Sequence, residues 1–457
     1  MDSRISLVFS SLLLVCFLIH VSVYSIEPIP TLSIKAPGNC TYEAWNDVTQ
    51  HTFRNETKYR KWGLSKKWQL KQSVSPVGLT LISAFVYNDS ISVTTTFIGY
   101  KRVGRKVICR YFDCNREEIP NTEFESIIFP FAVVNCARRA HAKYISLMLP
   151  DEQSSKSIQP IPMTFRAFAE PLHEFGVCLG QFYGDTAKWL EIVESVESHR
   201  ILGATMFYFV SIEVTMYDSQ VFTYYDRLGL SETVHILMDH KPNYQFHELQ
   251  QNECYYRSRQ HSKWVLNVDL DERLMFNKKY SFVNFLRTLP ANTGEITFSV
   301  ARVVKRENNM EKYENNQTQL EENLLFLKYN ETSDRGWGVP KGVFNPNLVH
   351  SLFYHFARLR DPSAIVLNVL PNIGYIRHYR TVVANTVASN WLEGYKVHNE
   401  PLDHDFAEEL KRRVFLEVAN IYNKKEMKCE DAAVEKLENL KMDGDSCVWK
   451  NGTRINK

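Results

Sequence analysis

Short apolar runs alternate with amphipathic stretches between residues 177 and 275, and this alternation constrains the fold more than any other feature of the chain. The apolar runs have the length and composition of buried strands. Residues 186–199 space their apolar residues as a helix does, residues 220–228 resemble a second helix, and residues 247–261 resemble a polar one. The predicted strands are 177–182, 203–212, 233–238 and 264–268, and the predicted helices are 186–199, 220–228 and 247–261. Strands that alternate with helices form parallel sheets through right-handed crossovers. The sequence therefore predicts an α/β domain whose mixed, mainly parallel sheet is flanked by helices.

Three carboxylates follow the last of these strands within four residues, namely Asp269, Asp271 and Glu272. Asp269 and Asp271 point to the same side of an extended chain, because side chains alternate along a strand. Ligands in open α/β sheets bind at the carboxyl ends of strands. Two adjacent carboxylates repel each other unless a cation lies between them, and Mn²⁺ or Mg²⁺ prefers such oxygen ligands. We therefore predict a metal site here, with a solvated acidic turn as the alternative. The triplets 403–405 and 443–445 repeat the Asp-x-Asp pattern without a preceding apolar strand.

The predicted sheet lacks the glycine-rich phosphate loops of two large enzyme classes. Neither Gly-x-Gly-x-x-Gly nor Gly-x-x-x-x-Gly-Lys-Ser/Thr accompanies the strands, which argues against a dinucleotide dehydrogenase and a P-loop ATPase. A net charge of +2 without a long basic run gives no indication of a nucleic-acid partner. A sheet of this kind must hold phosphate groups in another way, and a carboxylate-bound metal is one such way.

The N-terminus predicts entry into the secretory pathway. Residues 5–24 are nearly uncharged and long enough to cross a bilayer as a helix, and Arg4 before them favours a cytoplasmic N-terminus. A cleaved signal peptide, which would lead to secretion, is the alternative. The predicted organisation is a cytoplasmic tip with a signal-anchor transmembrane helix (1–25), a lumenal stem (26–75), a small β-rich accessory domain (76–170), the α/β domain (171–428) and a C-terminal tail (429–457).

Sugar acceptor sites and cysteines agree with a lumenal location. Sequons for N-linked glycans occur at six asparagines: Asn39, Asn55, Asn88, Asn316, Asn330 and Asn451. Eight of the nine cysteines lie outside the apolar N-terminal segment, and an even number in an oxidising compartment predicts disulfide bonds. Cys429 with Cys447 is a plausible local pair, and Cys254 is either a buried thiol or half of a disulfide.

Two segments of the second half contain further candidate ligand contacts. Residues 335–342 are rich in glycine and include Arg335, Trp337 and Lys341, which predicts a flexible loop over an anionic ligand or an ordinary turn cluster. His355 lies in an apolar run, where a core histidine is more common than a ligand. Residues 405–423 have the periodicity of a C-terminal helix.

Several separated motifs together resemble those of glycosyltransferase family 92, which has many members in nematodes. They are Val177-Cys178-Leu179, Trp189, Gly203, Gln250 with Cys254, Lys263-Trp264, Asp269-Leu270-Asp271-Glu272 and His378-Tyr379-Arg380, spread over roughly residues 175–425. The resemblance implies a GT-A-like fold and a Mn²⁺-dependent enzyme, with Mg²⁺ as the alternative ion. It also implies the transfer of galactose from UDP-galactose to a glycan acceptor, on a glycoprotein or glycolipid, with inversion at the anomeric carbon. The implied location is the Golgi membrane, as a single-pass type II protein with a lumenal catalytic domain.

The resemblance also implies roles for individual residues. Asp269 and Asp271 would hold the metal, which binds the UDP diphosphate, and His378 would be a third ligand or a phosphate contact, with His355 as the runner-up. Arg377 and Arg380 would lie near the diphosphate, and Lys341 is a further candidate for that contact from its glycine-rich segment. Glu272 adjoins the metal-binding turn and would orient it or take part in catalysis. An inverting enzyme also needs a base for the acceptor hydroxyl. The candidates for that base are Asp334, Glu321 and Glu322, and none of them is assigned.

Two other functions compete with a glycosyltransferase. The first is a catalytically silent relative that acts as a lumenal carbohydrate-binding or interaction protein, with the β-rich segment as its recognition surface. The retained pair of Asp269 and Asp271 argues against silence. The second is a hydrolase that uses the same pair as acid and base. Glycosidases set their two carboxylates several ångströms apart in different environments, which argues against that role for neighbouring residues on one turn.

Overall fold

The computed structural model describes residues 79–95, 103–150, 159–182, 184, 186–212, 214–236, 244–277, 281–381 and 390–423, together with four short terminal strands. Those strands are β1 (Ile34–Lys35) and β2 (Thr41–Tyr42) before this range, and β23 (Cys447–Lys450) and β24 (Thr453–Asn456) after it. Within the described part of the chain, no helix combines the length and the apolar character needed to span a bilayer. The predicted transmembrane segment, most of the stem and tail, and the pairing of Cys429 with Cys447 lie outside the described residues.

Residues 81–165 form a β-rich region, as predicted. Its strands are β3 (Leu81–Val86), β4 (Ile91–Thr95), β5 (Lys106–Phe112), β6 (Phe124–Ile127), β7 (Val133–Cys136), β8 (Tyr144–Met148) and β9 (Ile161–Phe165). They form one sheet in the order β6-β5-β8-β9-β3-β4-β7, antiparallel except for the pair of β3 and β9. A disulfide between Cys109 of β5 and Cys136 of β7 joins strands near the two ends of this order. The sheet therefore curls around its own apolar core.

The second part of the chain is a mixed α/β unit. Its first half contains β10 (His173–Phe182), α1 (Trp189–Ile201), β11 (Met206–Ser211), α2 (Met216–Arg227), β12 (Ser231–His235), α3 (Tyr244–Ser258) and β13 (Ser262–Val268). These four strands are parallel in the order β12-β11-β10-β13. The predicted alternation of strands and helices is confirmed here. Because the chain moves outward from β10 to β12 and then returns to the other side of β10, the topological switch point lies between β10 and β13.

The second half adds strands without regular helical crossovers. Its elements are β14 (Glu272–Phe276), α4 (Phe282–Arg287), β15 (Thr293–Lys305), α5 (Gln317–Glu322), α6 (Leu325–Lys328), β16 (Glu331–Ser333), β17 (Gly336–Phe344), β18 (Val349–Phe353), β19 (Phe356–Arg360), β20 (Ile365–Asn368), β21 (Gly374–Thr381), β22 (Val397–Asn399) and α7 (His404–Tyr422). Strand β17 pairs antiparallel with both β13 and β15, whereas β20 and β21 pair parallel with β15. The expectation of a mainly parallel sheet is therefore wrong beyond β13. Among its described residues, this half has no regular strand–helix–strand alternation, so nothing imposes a parallel arrangement on its strands.

A buried carboxylate sets the start of the first helix. Asp218 lies in the first turn of α2, where its side chain closes a capping box with Thr215. The same carboxylate accepts hydrogen bonds from the backbone N–H groups of Lys188 and Trp189, at 2.9 and 2.8 Å. These N–H groups belong to the unsatisfied donors that every helix N-terminus carries. Asp218 thus fixes the loop before α1, which contributes to the cavity described below.

Helix α3 joins the β-rich region to the α/β unit. The Glu253 carboxylate is fully buried and accepts hydrogen bonds from the hydroxyl groups of Ser83, at 2.7 Å, and Thr94. Arg257, one turn later, donates to Glu253 at 2.8 Å, and its guanidinium carbon lies 5.0 Å from the ring centre of Phe85. A charge buried at such a junction is tolerated because it is paired and hydrogen-bonded. The β-rich region therefore packs directly against this helix.

A second disulfide fixes α3 to the sheet. It links Cys178 of β10 with Cys254 of α3, 76 residues apart in sequence. Cys254 is therefore half of a disulfide and not a free buried thiol. The two disulfides of the described residues agree with the prediction from the cysteine count.

Candidate active site

A cavity of about 790 Å³ opens at the carboxyl ends of β10 and β13, at the topological switch point of the sheet. In open α/β sheets, ligands bind at this position. Its walls come from the loop before α1, the N-terminal half of α3, the turn after β13, β15 with the residues after it, and β21. The side chains that line this cavity include those of His247, Asp269, Asp271, Glu272, His355, His378 and Arg380. Most of the candidates named from the sequence therefore lie around one cavity.

Asp269 ends the apolar strand β13, and two basic side chains engage it. Its Oδ1 atom lies 3.0 Å from His247 Nε2 of α3, and its Oδ2 atom accepts a hydrogen bond from Lys341 Nζ of β17 at 2.9 Å. Burial alone would raise the pKa of Asp269, but Lys341 and His247 hold it well below the usual range. Asp269 is therefore ionised at neutral pH, and its charge is compensated within the protein.

Glu272 fixes the shape of the turn. Its Oε2 atom accepts a hydrogen bond from the backbone N–H of Asp269 at 2.9 Å, and its own N–H donates to the Asp269 carbonyl at 3.0 Å. The same Oε2 atom lies 2.9 Å from Lys341 Nζ. Burial raises the pKa of Glu272, although Lys341 acts in the opposite direction. With its side chain 1% exposed and held in this way, Glu272 orients the turn.

Asp271 points into the cavity and meets a histidine from a distant strand. Its Oδ2 atom lies 3.2 Å from His378 Nε2 of β21, and its side chain is 33% exposed. His378 Nδ1 lies 3.4 Å from Glu272 Oε1. Burial alone would raise the pKa of Asp271 and lower that of His378, but their contact lowers the first and raises the second. The contact therefore favours the ionised form of the Asp271 carboxylate and raises the basicity of the His378 imidazole.

Strand β21 separates the basic residues that the sequence placed together. His378 and Arg380 point into the cavity, because residues two apart share one face of a strand. Arg377 lies on the opposite face and is fully buried, and its guanidinium donates to the carbonyl groups of Glu400 and Tyr329, at 2.7 and 3.0 Å. The structure therefore does not bring Arg377 to the cavity where its predicted diphosphate contact would lie. The sequence did contain a signal for this difference. Side chains alternate along a strand, so the spacing of three residues between Arg377 and Arg380 predicts that they lie on opposite faces.

Residues 335–342 form neither of the predicted arrangements. All of them except Arg335 belong to the antiparallel strand β17, which lies between β13 and β15. Lys341 is fully buried between Asp269 and Glu272, so its cation faces two carboxylates of the protein instead of a mobile ligand. Burial alone would lower the pKa of Lys341, but the two carboxylates raise it.

The remaining candidates divide into one that lines the cavity and three that do not. Burial lowers the pKa of His355 to about 4, so this cavity residue is neutral at pH 7. Asp334, the first candidate base, lies at the end of β16, outside the residues that line the cavity, and its carboxylate is 3.6 Å from His398 Nδ1. Glu321 and Glu322 lie at the end of α5, also outside the cavity. Sequence reasoning missed His247, because nothing in a polar helix indicated that it would reach Asp269.

The side chains at the cavity could supply some, but not all, of the ligands of a divalent cation. Within the described residues, no three His, Cys, Asp or Glu side chains are grouped in a way that could hold a metal ion by themselves. Asp271 and His378 do offer a carboxylate and an imidazole side by side at the cavity wall, and Mn²⁺ accepts both. Both oxygens of Asp269 are engaged by His247 and Lys341. The chemistry therefore fits an ion whose remaining ligands come from substrate phosphates and water, as is usual for Mg²⁺.

The sequence pattern of glycosyltransferase family 92 matches residues 173–413, which is more than half of the 457 residues. The match begins at the first residue of β10 and ends within α7, so it contains every cavity residue named above. Among curated proteins, no sequence matches the chain.

Proposed function

The chain belongs to glycosyltransferase family 92 and is a glycosyltransferase, and we propose that it transfers galactose from UDP-galactose to a hydroxyl group of a glycan. The observation that carries the proposal is the meeting of Asp269, Asp271, His378 and Arg380 at one cavity, at the switch point of the sheet. A nucleoside diphosphate leaving group needs positive charge, and a sugar acceptor needs an open cavity. The site offers both.

We further propose that the enzyme uses Mn²⁺, or Mg²⁺ in its place, held by Asp271 and His378. When bound, the ion supplies positive charge that stabilises the nucleoside diphosphate as the glycosidic bond breaks. Asp269 could join the ligands only by exchanging its contact with Lys341 or His247. Its direct role in this proposal is to hold the side chains of Lys341 and His247, and through them β17 and α3, at the wall of the cavity.

Other residues of the chain would bind and orient the two substrates. The loop before α1, with Thr186, Ala187 and Lys188, lines the cavity beside the end of β10, where a nucleoside is expected in a sheet of this type. Arg380 would lie near the diphosphate. For inversion, a base must take the proton of the acceptor hydroxyl. Glu272 is held by Lys341 and the turn, and Asp334 lies outside the cavity, so neither suits this role.

We also propose that the protein is a type II Golgi membrane protein with a lumenal catalytic unit. The apolar segment at residues 5–24 and the two disulfides support this location, because disulfides persist in oxidising compartments. Protease digestion of intact Golgi vesicles tests it. The proposal requires that the catalytic unit is protected until detergent is added, and digestion in intact vesicles would contradict it.

Transfer assays test the reaction itself. The full chain is incubated with a panel of UDP-sugars and with fucosylated or galactosylated glycans, with and without Mn²⁺. We expect galactose transfer that requires the ion. We also expect Asp271→Asn to lower kcat about 10²- to 10³-fold, as the loss of one charge-stabilising group does in other enzymes.

Asp405→Asn is the matched control, because Asp405 belongs to a second Asp-x-Asp triplet and lies 81% exposed at the start of α7. This control should retain activity within about twofold, as surface substitutions usually have small effects. Full activity of Asp271→Asn, or transfer of no sugar from any UDP-sugar by the wild type, would contradict the proposal.

A further inference from the structure

The charged side chains around the cavity are unevenly paired. Four cationic side chains other than histidine line it, namely Lys188, Arg302, Lys305 and Arg380. Lys305 Nζ lies 2.5 Å from Glu191 Oε1, and Lys188 Nζ donates to the carbonyl groups of Gly184 and Thr186. In the part of the chain that the structure describes, no carboxylate pairs with Arg302 or Arg380. The carboxylates at the cavity are already engaged, Asp269 and Glu272 by Lys341, and Asp271 by His378.

The two arginines lie close together although they come from different strands. Arg302 of β15 is the register partner of His378 in the parallel strand β21, and Arg380 follows His378 by two residues. All three side chains therefore lie on the cavity face of the sheet. Because no carboxylate pairs with either arginine among the described residues, this wall of the cavity carries two guanidinium charges that the protein leaves uncompensated.

An indole ring holds both guanidinium groups. The guanidinium carbon atoms of Arg302 and Arg380 lie 4.4 and 4.9 Å from the ring centre of Trp391, and the ring of His378 lies 4.9 Å from it. Arg302 Nη1 also donates to the carbonyl oxygen of Trp391 at 3.1 Å. Cations within about 6 Å of an indole are attracted to its face. The two groups are thus oriented before any ligand arrives, which reduces the entropy lost on binding.

We propose that Arg302 and Arg380 together bind the diphosphate of the nucleotide-sugar donor, and that Trp391 is the residue that positions them. This inference rests on the proposed function. Planar guanidinium groups bind phosphate oxygens in a bidentate manner, and an anion here neutralises the excess charge next to Asp271 and His378. Arg302 takes the part that the sequence had given to Arg377. No sequence motif indicated Arg302, because its approach to Arg380 depends on the pairing of β15 with β21.

Binding measurements on the full chain test the assignment. UDP, inorganic diphosphate and uridine are titrated separately by calorimetry in Mg²⁺ buffer, with wild type, Arg302→Met and Arg302→Lys. Since a hydrogen bond to a charged group contributes more than a neutral one, Arg302→Met should weaken the binding of UDP and of diphosphate about 10- to 100-fold. Uridine lacks the phosphates and should bind equally well to all three proteins. Arg302→Lys should lie between the other two, because it keeps the charge and loses the planar fork.

Arg306→Met is the matched control for the loss of one positive charge. Arg306 follows β15, and it forms an ion pair with Glu331 in which both side chains are more than 60% exposed. Its replacement should leave the affinity for UDP within about twofold, because exposed charges are screened. Equal affinity of Arg302→Met and wild type for UDP would overturn the inference, and so would an equal loss for UDP and uridine.

Trp391 is tested by a comparison of Trp391→Leu with Trp391→Phe. A positioning role predicts that the leucine variant loses affinity for UDP, that the phenylalanine variant keeps most of it, and that neither changes the affinity for uridine. If the wild type binds diphosphate but not UDP, the proposed donor is wrong and the role of the arginines stands. If the wild type binds none of the three compounds, both proposals fail.

Discussion

Replacement of Lys341 by methionine tests the account of the acidic turn most directly. Lys341 is fully buried, and its Nζ atom lies 2.9 Å from an oxygen of Asp269 and 2.9 Å from an oxygen of Glu272. Methionine keeps much of the length and removes the charge. Removing one partner of a buried ion pair leaves an uncompensated charge in a poorly solvated place, which is strongly destabilising. Glu272 is then the group that must respond, because its side chain is 1% exposed while that of Asp269 is 21% exposed.

The magnitude follows from the protonation of Glu272. Burial already raises the pKa of Glu272, and without Lys341 the carboxyl group would take up a proton in the folded state. In the unfolded chain its pKa is about 4.3, so holding the proton at pH 7 costs about 3–4 kcal/mol, at 1.36 kcal/mol for each unit. At pH 5 the same step costs only about 1 kcal/mol. The folded variant binds more protons than the unfolded one, so its deficit in stability should shrink as the pH falls.

Thermal unfolding at pH 7 and pH 5 measures this effect. For a unit of about 250 residues, roughly 2 °C for each kcal/mol gives a decrease in Tm of about 6–8 °C at pH 7 and about 2 °C at pH 5. The double variant Lys341→Met/Glu272→Gln should show a decrease that does not depend on pH. Lys328→Met is the matched control, because Lys328 forms a surface ion pair with Glu307 and should contribute at most about 1 kcal/mol at either pH. A loss for Lys341→Met that is the same at both pH values would refute the reasoning.

Three further predictions concern other parts of the molecule. A double alanine variant that lacks the disulfide between Cys178 and Cys254 should have a free energy of unfolding lower by up to about 4 kcal/mol, since the bond closes a loop of 76 residues. Unfolding curves of the variant and the wild type measure this difference. Asn316 is exposed, and its side-chain oxygen caps α5, whereas the amide nitrogen of Asn330 donates to a backbone carbonyl at 3.2 Å. Asn316→Gln should therefore remove one N-linked glycan and Asn330→Gln none, as read from the mass change after glycosidase treatment. Burial lowers the pKa of His199 to about 3. As the pH falls from 6.5 to 4, the unfolded chain takes up a proton that the folded chain does not, so this residue should lower the free energy of unfolding by about 3 kcal/mol. Urea unfolding of His199→Gln should show a smaller decrease over the same pH range.

The sequence predicted the part of the fold whose signals are local. Strands β11 and β13 and most of β10 are compact apolar runs, and α1 between β10 and β11 has a helical spacing of apolar residues, so these elements could be recognised within a dozen residues. The Asp269 turn was found for the same reason, because its carboxylates follow a strand directly. Only the family resemblance predicted that His378 belongs to the same site. No local pattern relates it to the acidic turn, which lies more than a hundred residues earlier in the sequence.

The features that were missed depend on pairings between distant segments. Strand β17 contains two glycines and a proline within its first five residues, a composition that is unfavourable for a strand. It forms because it pairs on both sides, with β13 and β15. Lys341 becomes buried only through that pairing, and Arg302 approaches Arg380 only through the pairing of β15 with β21. No pattern within β15, β17 or β21 alone indicates these pairings.

Helix α3 contributes to the cavity and also packs against the β-rich region. One end of it carries His247 to the Asp269 carboxylate, and further along the same helix Glu253 accepts hydrogen bonds from the β-rich region. A shortened protein that starts at residue 171 would retain every cavity residue, yet it would leave the Glu253 carboxylate without two of its hydroxyl donors. Efforts to produce a minimal soluble transferase, or to graft this catalytic unit onto another protein, should therefore carry the preceding β-rich segment along as part of the enzyme.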